Sequence, residues 1–204
     1  MNKKKEHWES VYAMKDDHQV SWYQDVPKTS LRLINELQLS LESSIIDIGG
    51  GNSNFTIELQ KLGYKNLSVL DISGLALMRT KEKMGDAANT VNWVESDVLD
   101  LDEFNKYEVI HDRATFHFLT NEDEIKKYVD IVSGAIIKGG HLVISTFAIT
   151  GPEKCSNLQV SQYSSSTLAN LFNENFKMIS SFNEVHTSPY GTTQDFLFCV
   201  LARL

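Results

Sequence analysis

Three aspartates in the first half of the chain stand where short apolar runs end. Asp47 follows SII, Asp71 follows LSVL, and Asp97 follows VNWVES. Runs of this length and composition are typical of buried strands, and parallel strands bring their carboxyl ends to one edge of a sheet. Carboxylates at that edge can accept hydrogen bonds from hydroxyl and amino groups. The pattern therefore predicts a ligand crevice at this edge.

Three consecutive glycines follow the first of these acids and precede a helical pattern. Because glycine has no Cβ atom, Gly49, Gly50 and Gly51 can take positive φ and let the backbone touch a ligand beside the first amides of a helix. Asp71 lies 20 residues after Gly51, where folds of this kind bind a ribose. The ligand is therefore predicted to be a nucleoside.

The glycine turn departs from the dinucleotide-binding fingerprint, which runs G-x-G-x-x-G. Here those positions hold Gly49, Gly51 and Asn54, so the glycine that allows close packing of helix and strand is missing. Asp47 precedes the first glycine by two residues, where its negative charge would repel a pyrophosphate but attract an ammonium or sulfonium group. These differences favour a cationic nucleoside ligand.

The sequence DIGGGN, from Asp47 to Asn52, resembles the D-x-G-x-G-x motif of the class I S-adenosylmethionine-dependent methyltransferases. The resemblance implies S-adenosyl-L-methionine as cofactor and S-adenosyl-L-homocysteine as product. It also implies that the glycine turn holds the methionyl part, that Asp71 binds the ribose, and that Asp97 and the Val98 amide meet the adenine. The alternatives are an incidental glycine-rich turn and, for Asp97, a solvated acidic loop. The implied cofactor-binding residues are Asp47, Gly49, Gly50, Gly51, Asn52, Asp71, Ile72, Asp97, Val98 and Asp112.

Apolar runs alternate with helical patterns through the middle of the chain, which is typical of an α/β fold. Strands are predicted at 91–95, 107–111 and 141–148, and helices at 4–12, 27–37 and 122–138. Gly139 and Gly140 are expected to end the last of these helices. The runs 177–185 and 194–201 flank a turn and are expected to pair antiparallel. The resemblance implies a Rossmann-like, seven-stranded, mostly parallel sheet with one antiparallel edge strand and helices on both faces.

The length of 204 residues fits one methyltransferase domain, 1–204. Within it, residues 41–150 are expected to form the cofactor-binding core, and residues 151–204 a substrate loop, a helix and the terminal hairpin. Residues 1–40 are predicted to be a helical lid over the pocket, because this segment is rich in aromatic residues. Simple packing against the main domain is the alternative.

The end of the fourth predicted strand supplies the candidate residues for catalysis. Asp112 and Arg113 are expected to shape the acceptor pocket, and His117 is the candidate general base because imidazole can take a proton near neutral pH. The alternative places His117 in the packing beneath the loop. His186 and Tyr163 are weaker candidates for the base. The predicted substrate-contacting residues are Trp22, Tyr23, Phe116 and Tyr163.

The composition restricts the partners that the protein is expected to have. A formal charge of −8 gives no general attraction to nucleic acid. No run of about 18 apolar residues exists and no apolar signal segment follows the charged start, so a cytoplasmic protein without a membrane partner is expected. Cys155 and Cys199 are expected to be free thiols, without a metal site. A monomer or a weak dimer is predicted.

Two further resemblances bear on the acceptor. HWESVY near the start and DRATF from Asp112 to Phe116 look like the lysine methyltransferases of elongation factor 1A or citrate synthase, whose motif reads D-K-G-T followed by an aromatic or aliphatic residue and then an acid. Here Arg113 replaces the lysine, Ala114 the glycine and His117 the acid. HDRATFHFLT and GPEKCSNL resemble small bacterial methyltransferases without a defined acceptor. A small-molecule acceptor is favoured, with a protein lysine or a non-catalytic cofactor-binding module as alternatives.

Overall fold

The computed structural model describes residues 3–204, and residues 1 and 2 of the predicted lid segment lie outside the described part. Each predicted strand and helix is present within a few residues of its expected bounds. The largest difference is the boundary between the helix predicted at 122–138 and the strand that follows it, which lies earlier in the chain than predicted. The helices are α1 (Lys3–Met14), α2 (Lys28–Glu36), α3 (Phe55–Lys61), α4 (Gly74–Met84), α5 (Glu122–Ala135) and α6 (Ser165–Phe172). The strands are β1 (Ser44–Ile48), β2 (Asn66–Asp71), β3 (Asn92–Glu95), β4 (Tyr107–Arg113), β5 (Ile136–Phe147), β6 (Lys154–Cys155), β7 (Leu158–Gln159), β8 (Phe176–Thr187) and β9 (Thr193–Arg203).

Seven strands form one sheet in the order β3-β2-β1-β4-β5-β9-β8. The first five are mutually parallel, whereas β9 runs antiparallel to both β5 and β8. The terminal hairpin thus adds the one reversed strand, β9, between β5 and the edge strand β8, and the predicted α/β fold is confirmed. Strand order reverses between β1 and β4, and ligands of open α/β sheets bind at the carboxyl ends of strands beside such a reversal.

Apolar side chains leave both faces of the sheet and bury helices on each side. One core contains Tyr128 of α5 and Phe172 of α6, and the other contains Leu33 of α2 and Phe55 of α3. Within β1, Ile46 and Ile48 belong to the first core and Ile45 to the second, because successive strand residues point to opposite faces. The ends of β1 and β4 are therefore held rigidly from both sides.

The predicted helix 122–138 is shorter than expected. Helix α5 ends at Ala135, and β5 begins at once with Ile136. The β-branched pair Ile136 and Ile137 favours the extended conformation, and pairing with β4 overrides the helical pattern. Residues 137–140 form a bulge opposite Glu108, since Tyr107 pairs with Ile136 and Val109 with His141. The two glycines therefore serve this bulge and do not end the helix.

The segment after β5 carries a small hairpin, β6–β7, whose turn has positive φ at Ser156 and Asn157. This hairpin lies within the predicted substrate loop that begins at residue 151. Helix α1 packs against α4. No helix in the described range 3–204 is long and apolar enough to cross a membrane.

Candidate active site

The turn after β1 leaves no room for side chains at its glycines. Gly49 has φ +67°, and a Cβ atom built there would lie 1.9 Å from Thr115 Oγ1. A Cβ on Gly50 would lie 2.1 Å from Asp47 Oδ2, and one on Gly51 2.6 Å from Asp71 Oδ2. The Gly49 amide donates to the Leu70 carbonyl at 2.7 Å and ties the turn to β2. The predicted need for three glycines therefore has a steric basis.

Asp71 is buried at the end of β2 and fixes the turn from below. Its Oδ2 accepts a hydrogen bond from the Gly51 amide at 2.9 Å, and its Oδ1 accepts one from the Ser73 amide at 2.8 Å. Burial raises the pKa of Asp71 to about 6, although the two amides act in the opposite direction. Each carboxylate oxygen can accept a second hydrogen bond, so Asp71 keeps the capacity to bind ribose hydroxyls.

Asp47 belongs to a buried chain of hydrogen bonds that the sequence analysis did not anticipate. Its Oδ1 lies 2.7 Å from His111 Nδ1, and His111 Nε2 lies 2.9 Å from Ser30 Oγ. Phe55 stacks on the imidazole with ring centroids 3.9 Å apart. Asp47 Oδ2 is buried and has no hydrogen-bond partner within the described residues. The signal for His111 was its position, because parallel pairing sets it beside Asp47.

Asp97 and Val98 lie at the end of β3 and begin a short 3₁₀ helix, Val98–Asp100. The Asp97 side chain accepts a hydrogen bond from the Leu99 amide at 3.0 Å and caps this helix. The Ser96 amide donates to the Asp71 carbonyl at 3.0 Å, which keeps the ends of β2 and β3 together. The three predicted acids after the first three strands therefore lie at one sheet edge.

A cavity of about 330 Å³ opens at this edge, beside the reversal of strand order. Seven predicted site residues line it, namely Trp22, Gly49, Asp71, Ile72, Asp97, Val98 and Arg113. A smaller recess of about 40 Å³ shares Trp22, Gly49 and Arg113 with the cavity and adds Tyr23, Asp47, Gly50 and Asn52. The structure thus brings most of the predicted cofactor residues into two adjoining spaces around Gly49.

Neither space is lined by Gly51, Asp112, Phe116, His117, Tyr163 or His186, which the sequence placed among the candidate site residues. Gly51 is held beneath the turn by Asp71. Asp112 is fully buried and accepts hydrogen bonds from the Tyr128 hydroxyl at 2.6 Å and from the amides of Thr115 and Phe116 at 2.9 and 3.2 Å. Burial raises its pKa to about 6. Asp112 therefore shapes the loop after β4 from below, which corrects its expected contact with the cofactor.

Phe116 and Tyr163 stack on each other in the core with ring centroids 5.3 Å apart. Phe116 is 0% exposed, and neither side chain lines the cavity or the recess. The 3₁₀ helix Phe116–Phe118 turns its first residue inward and its third residue outward, so Phe118 lines the cavity where Phe116 was expected.

His117 is also fully buried, between Phe118 and Phe147 at centroid distances of 4.7 and 4.5 Å. Its Nδ1 lies 3.2 Å from the Phe147 amide and accepts that hydrogen, which places the Nδ1 lone pair out of reach of a substrate. Burial, with a smaller effect of Arg113, lowers the pKa of His117 to about 3. This placement corrects the expectation of a general base at His117. His186, the weaker candidate, lies beside the Ser21 carbonyl at 2.7 Å and outside the cavity.

Helix α1 supplies a wall of the cavity through Trp8, Tyr12 and Lys4. Trp8 packs edge to face on Trp22 and on Phe118, with centroids 5.9 and 4.9 Å apart. The aromatic density of the N-terminal segment was the sequence signal for this wall.

Polar contacts on the outer side fix the position of α1. Lys5 Nζ lies 2.5 Å from Glu95 Oε1, and the Gly74 amide at the start of α4 donates to Glu9 Oε1 at 2.8 Å. Lys4 Nζ also lies 2.6 Å from Glu124 Oε1. Helix α1 thus joins the ends of β3, α4 and α5 above the cavity.

The β6–β7 hairpin closes another side with Cys155, Leu158 and Gln159. Burial raises the pKa of the Cys155 thiol to about 11 and that of Cys199 to about 12, so both thiols are protonated at neutral pH. The described residues contain no group of three or more acidic, histidine or cysteine side chains that could hold a metal ion. The cavity is thus lined by polar groups at the ends of β2 and β3 and by mostly apolar side chains from α1, the loop after β4 and the β6–β7 hairpin.

Comparison with known proteins agrees with this geometry. The family described as a methyltransferase domain matches residues 45–140. EEF1A lysine methyltransferase 2 from Homo sapiens is 26% identical over 159 residues, which cover 69% of this chain and 66% of that protein. Malonyl-[acyl-carrier protein] O-methyltransferase 1 from Ilyobacter polytropus is 26% identical over 131 residues, covering 61% and 47%. The chain thus spans between about half and two thirds of the length of these curated relatives.

A solved structure shares the fold over nearly the whole chain. The 1,6-didemethyltoxoflavin-N1-methyltransferase of Burkholderia thailandensis, crystallised with 1,6-didemethyltoxoflavin and S-adenosylhomocysteine, superimposes with a TM-score of 0.76. The match covers 98% of this chain and 87% of that chain at 17% identity. The matched domain, which covers just under half of the chain, and the two curated relatives support the predicted class I S-adenosylmethionine-dependent methyltransferase, and the solved structure shows the same fold.

Proposed function

We propose that this protein transfers a methyl group from S-adenosylmethionine to a small-molecule acceptor. The observation that supports this most strongly is that two different sets of residues line one cavity. Asp71, Ile72, Asp97 and Val98 form one set, and side chains of α1, the loop after β4 and the β6–β7 hairpin form the other. A cofactor and an acceptor held side by side need this arrangement for in-line transfer.

The residues on the cofactor side fit S-adenosylmethionine. Asp47 Oδ2 is buried without a partner, which suits a cationic group beside the glycine turn. Gly49 and Gly50 line the recess, and Asp71 retains acceptor capacity for ribose hydroxyls. When bound, the cofactor supplies an activated methyl group on a sulfonium. The protein's part is to bind, to orient and to exclude water.

The acceptor side is mostly apolar, although Lys4, Arg113 and Gln159 also line the cavity. Trp8, Trp22, Phe118 and Leu158 form its walls, and ion pairs and a helix-cap contact hold α1 across the top. A small planar or apolar molecule would fit between the aromatic rings, whereas a lysine ammonium group would lose hydration against these apolar walls. This favours a small molecule over the protein lysine alternative.

The described residues that line the cavity include no histidine and no glutamate. Its two carboxylates, Asp71 and Asp97, lie where the ribose and adenine are expected, and the thiol of Cys155 has a raised pKa. We therefore propose that the acceptor's nucleophilic atom is already deprotonated at neutral pH or releases its proton to solvent during transfer. An acceptor of this kind needs alignment but no dedicated base.

A protein lysine acceptor remains the second candidate, because a curated relative is named EEF1A lysine methyltransferase 2. Incubation of the purified protein with a cell extract and radiolabelled S-adenosylmethionine separates the two. Label in the small-molecule fraction is expected, and the Asp71→Ala variant should reduce it when the cofactor is below saturation. Label that stays on protein lysines would replace the proposal with the second candidate. Absence of transfer to any acceptor, with intact cofactor binding, would indicate a non-catalytic binding module.

We further propose a cytoplasmic protein that acts as a monomer or weak dimer and does not bind nucleic acid. The formal charge of −8 supports the last point, since a phosphate backbone requires a positive surface. Light scattering after gel filtration should give the mass of one chain at micromolar concentration, and a stable larger assembly would contradict the proposal.

A further inference from the structure

Arg113 ends β4 with a guanidinium group that is largely enclosed and mostly unpaired. Its Nη1 donates to the Trp22 carbonyl at 2.9 Å, and its Cζ lies 5.3 Å from the centre of the Phe196 ring. The buried Nε atom has no hydrogen-bond partner within the described residues. Within the same residues, no carboxylate oxygen lies within 4.0 Å of this guanidinium as an ion pair.

Such an arrangement is costly unless an anion completes it. A guanidinium carries five N–H donors, and one is used here. Burial lowers the pKa of Arg113 to about 10, while Asp47 and Glu184 act to raise it, so the group stays charged at neutral pH. Buried charges in proteins are normally paired, because an unpaired one loses its hydration without compensation. The missing partner is therefore expected to come from a ligand.

The position of Arg113 indicates where the ligand binds. It lines both the cavity and the recess, which also share Trp22 and Gly49. The recess contains Asp47, whose buried Oδ2 likewise has no partner. Two unsatisfied groups of opposite charge thus border the same small space beside the glycine turn.

We propose that Arg113 binds the carboxylate of a molecule that lies where the cavity meets the recess. The guanidinium fork matches a carboxylate in shape and donor spacing. This inference rests on the proposed function, which brings two molecules to that junction. One is the cofactor, whose amino-acid end carries a carboxylate beside an ammonium and so matches Arg113 together with Asp47. The other is an acceptor acid, which would need no general base.

Two nucleoside ligands test whether Arg113 binds the carboxylate of the cofactor. S-adenosylhomocysteine carries the amino-acid end, whereas 5′-methylthioadenosine lacks it. We expect Arg113→Met to lower the affinity for S-adenosylhomocysteine about 10- to 100-fold, which is the effect of a lost charge-assisted bond. The same substitution should change the affinity for 5′-methylthioadenosine by less than about twofold. Arg32→Met is the matched control, because Arg32 also lies over a phenylalanine ring, 5.1 Å from Phe182, but pairs with Glu36 on the surface. It should change neither affinity.

Malonate titrated into protein saturated with S-adenosylhomocysteine tests the acceptor's carboxylate. If Arg113→Met leaves both nucleoside affinities unchanged but removes malonate binding, Arg113 binds a carboxylate of the acceptor. If malonate does not bind and neither nucleoside is affected, the inference is wrong. Equal weakening of both nucleosides would also overturn it, because the effect would then be structural. None of these titrations depends on where the methyl label goes, so they are independent of the test of the proposed function.

Discussion

Replacing Asp112 with asparagine should stabilise the protein at neutral pH and leave cofactor binding intact. Oδ1 of Asp112 accepts from two backbone amides, and Oδ2 accepts from the Tyr128 hydroxyl. An asparagine can keep the first two bonds with its oxygen and donate its amide hydrogen to the Tyr128 oxygen. The substitution therefore removes a buried charge, although the Tyr128 hydroxyl hydrogen and one amide hydrogen of the asparagine then have no acceptor among these groups.

The magnitude follows from the raised pKa of Asp112, about 6 in the folded protein against the ordinary 3.8. Because the folded state holds its proton more tightly, the protein is most stable when this carboxyl is protonated and loses stability as the pH rises from about 4 to about 6. A difference of about two pKa units corresponds to ~3 kcal/mol, an upper figure because charge-assisted bonds are lost in the variant. Above about pH 6 the gain in the variant should stay constant.

Urea unfolding of the native protein and the variant at several pH values between about 4 and 8 measures this difference. The two free energies of unfolding should converge near pH 4 and separate by about 1.4 kcal/mol per pH unit up to about pH 6. S-adenosylhomocysteine should bind both proteins equally. A variant that is less stable than the native protein at every pH, or one that loses S-adenosylhomocysteine, would refute the assignment of Asp112 as a buried structural acid.

Three other substitutions or measurements test neighbouring features. Amides of α1 should become protected from hydrogen exchange when S-adenosylhomocysteine binds, and protection limited to the glycine turn would make α1 simple packing. His117→Gln should lower the melting temperature by several degrees while the pH dependence of the remaining activity stays unchanged; a flattened profile would restore His117 as the base. Ala114 has φ +68°. Ala114→Val should therefore cost about 1–3 kcal/mol of stability in urea unfolding, and Ala114→Gly less than about 0.5 kcal/mol.

The cofactor side was predictable from the sequence because its signals are local. The acid, the glycine turn and the next acid after β2 lie within 25 residues of one another, and each needs a particular residue type for a steric or electrostatic reason. The same reasoning located the alternating strands and helices and the terminal hairpin. Residues 137–140 were misassigned because the bulge depends on pairing with β4, which a helical pattern cannot reveal.

The acceptor side was less predictable because its side-chain directions depend on one unusual backbone angle. Ala114 takes a left-handed conformation where the similar D-K-G-T motif has glycine, and the chain then enters the 3₁₀ helix Phe116–Phe118. That geometry buries Phe116 and His117 and turns Phe118 to the cavity. Periodicity in the sequence carries no information on this turn. The contact between His111 and Asp47 was missed for a related reason, because only the pairing of β1 with β4 brings these residues together.

Calorimetric titration of S-adenosylhomocysteine and of NAD into the purified protein tests the central claim most directly. Asp47 faces the recess with an unpartnered oxygen, which favours the amino-acid end of S-adenosylhomocysteine and repels a pyrophosphate. We expect S-adenosylhomocysteine to bind and NAD not to bind. Asp71→Ala should lower the affinity for S-adenosylhomocysteine about tenfold or more, because charge-assisted bonds to the ribose are lost. Binding of NAD, or an Asp71→Ala variant with unchanged affinity for S-adenosylhomocysteine, would contradict the account.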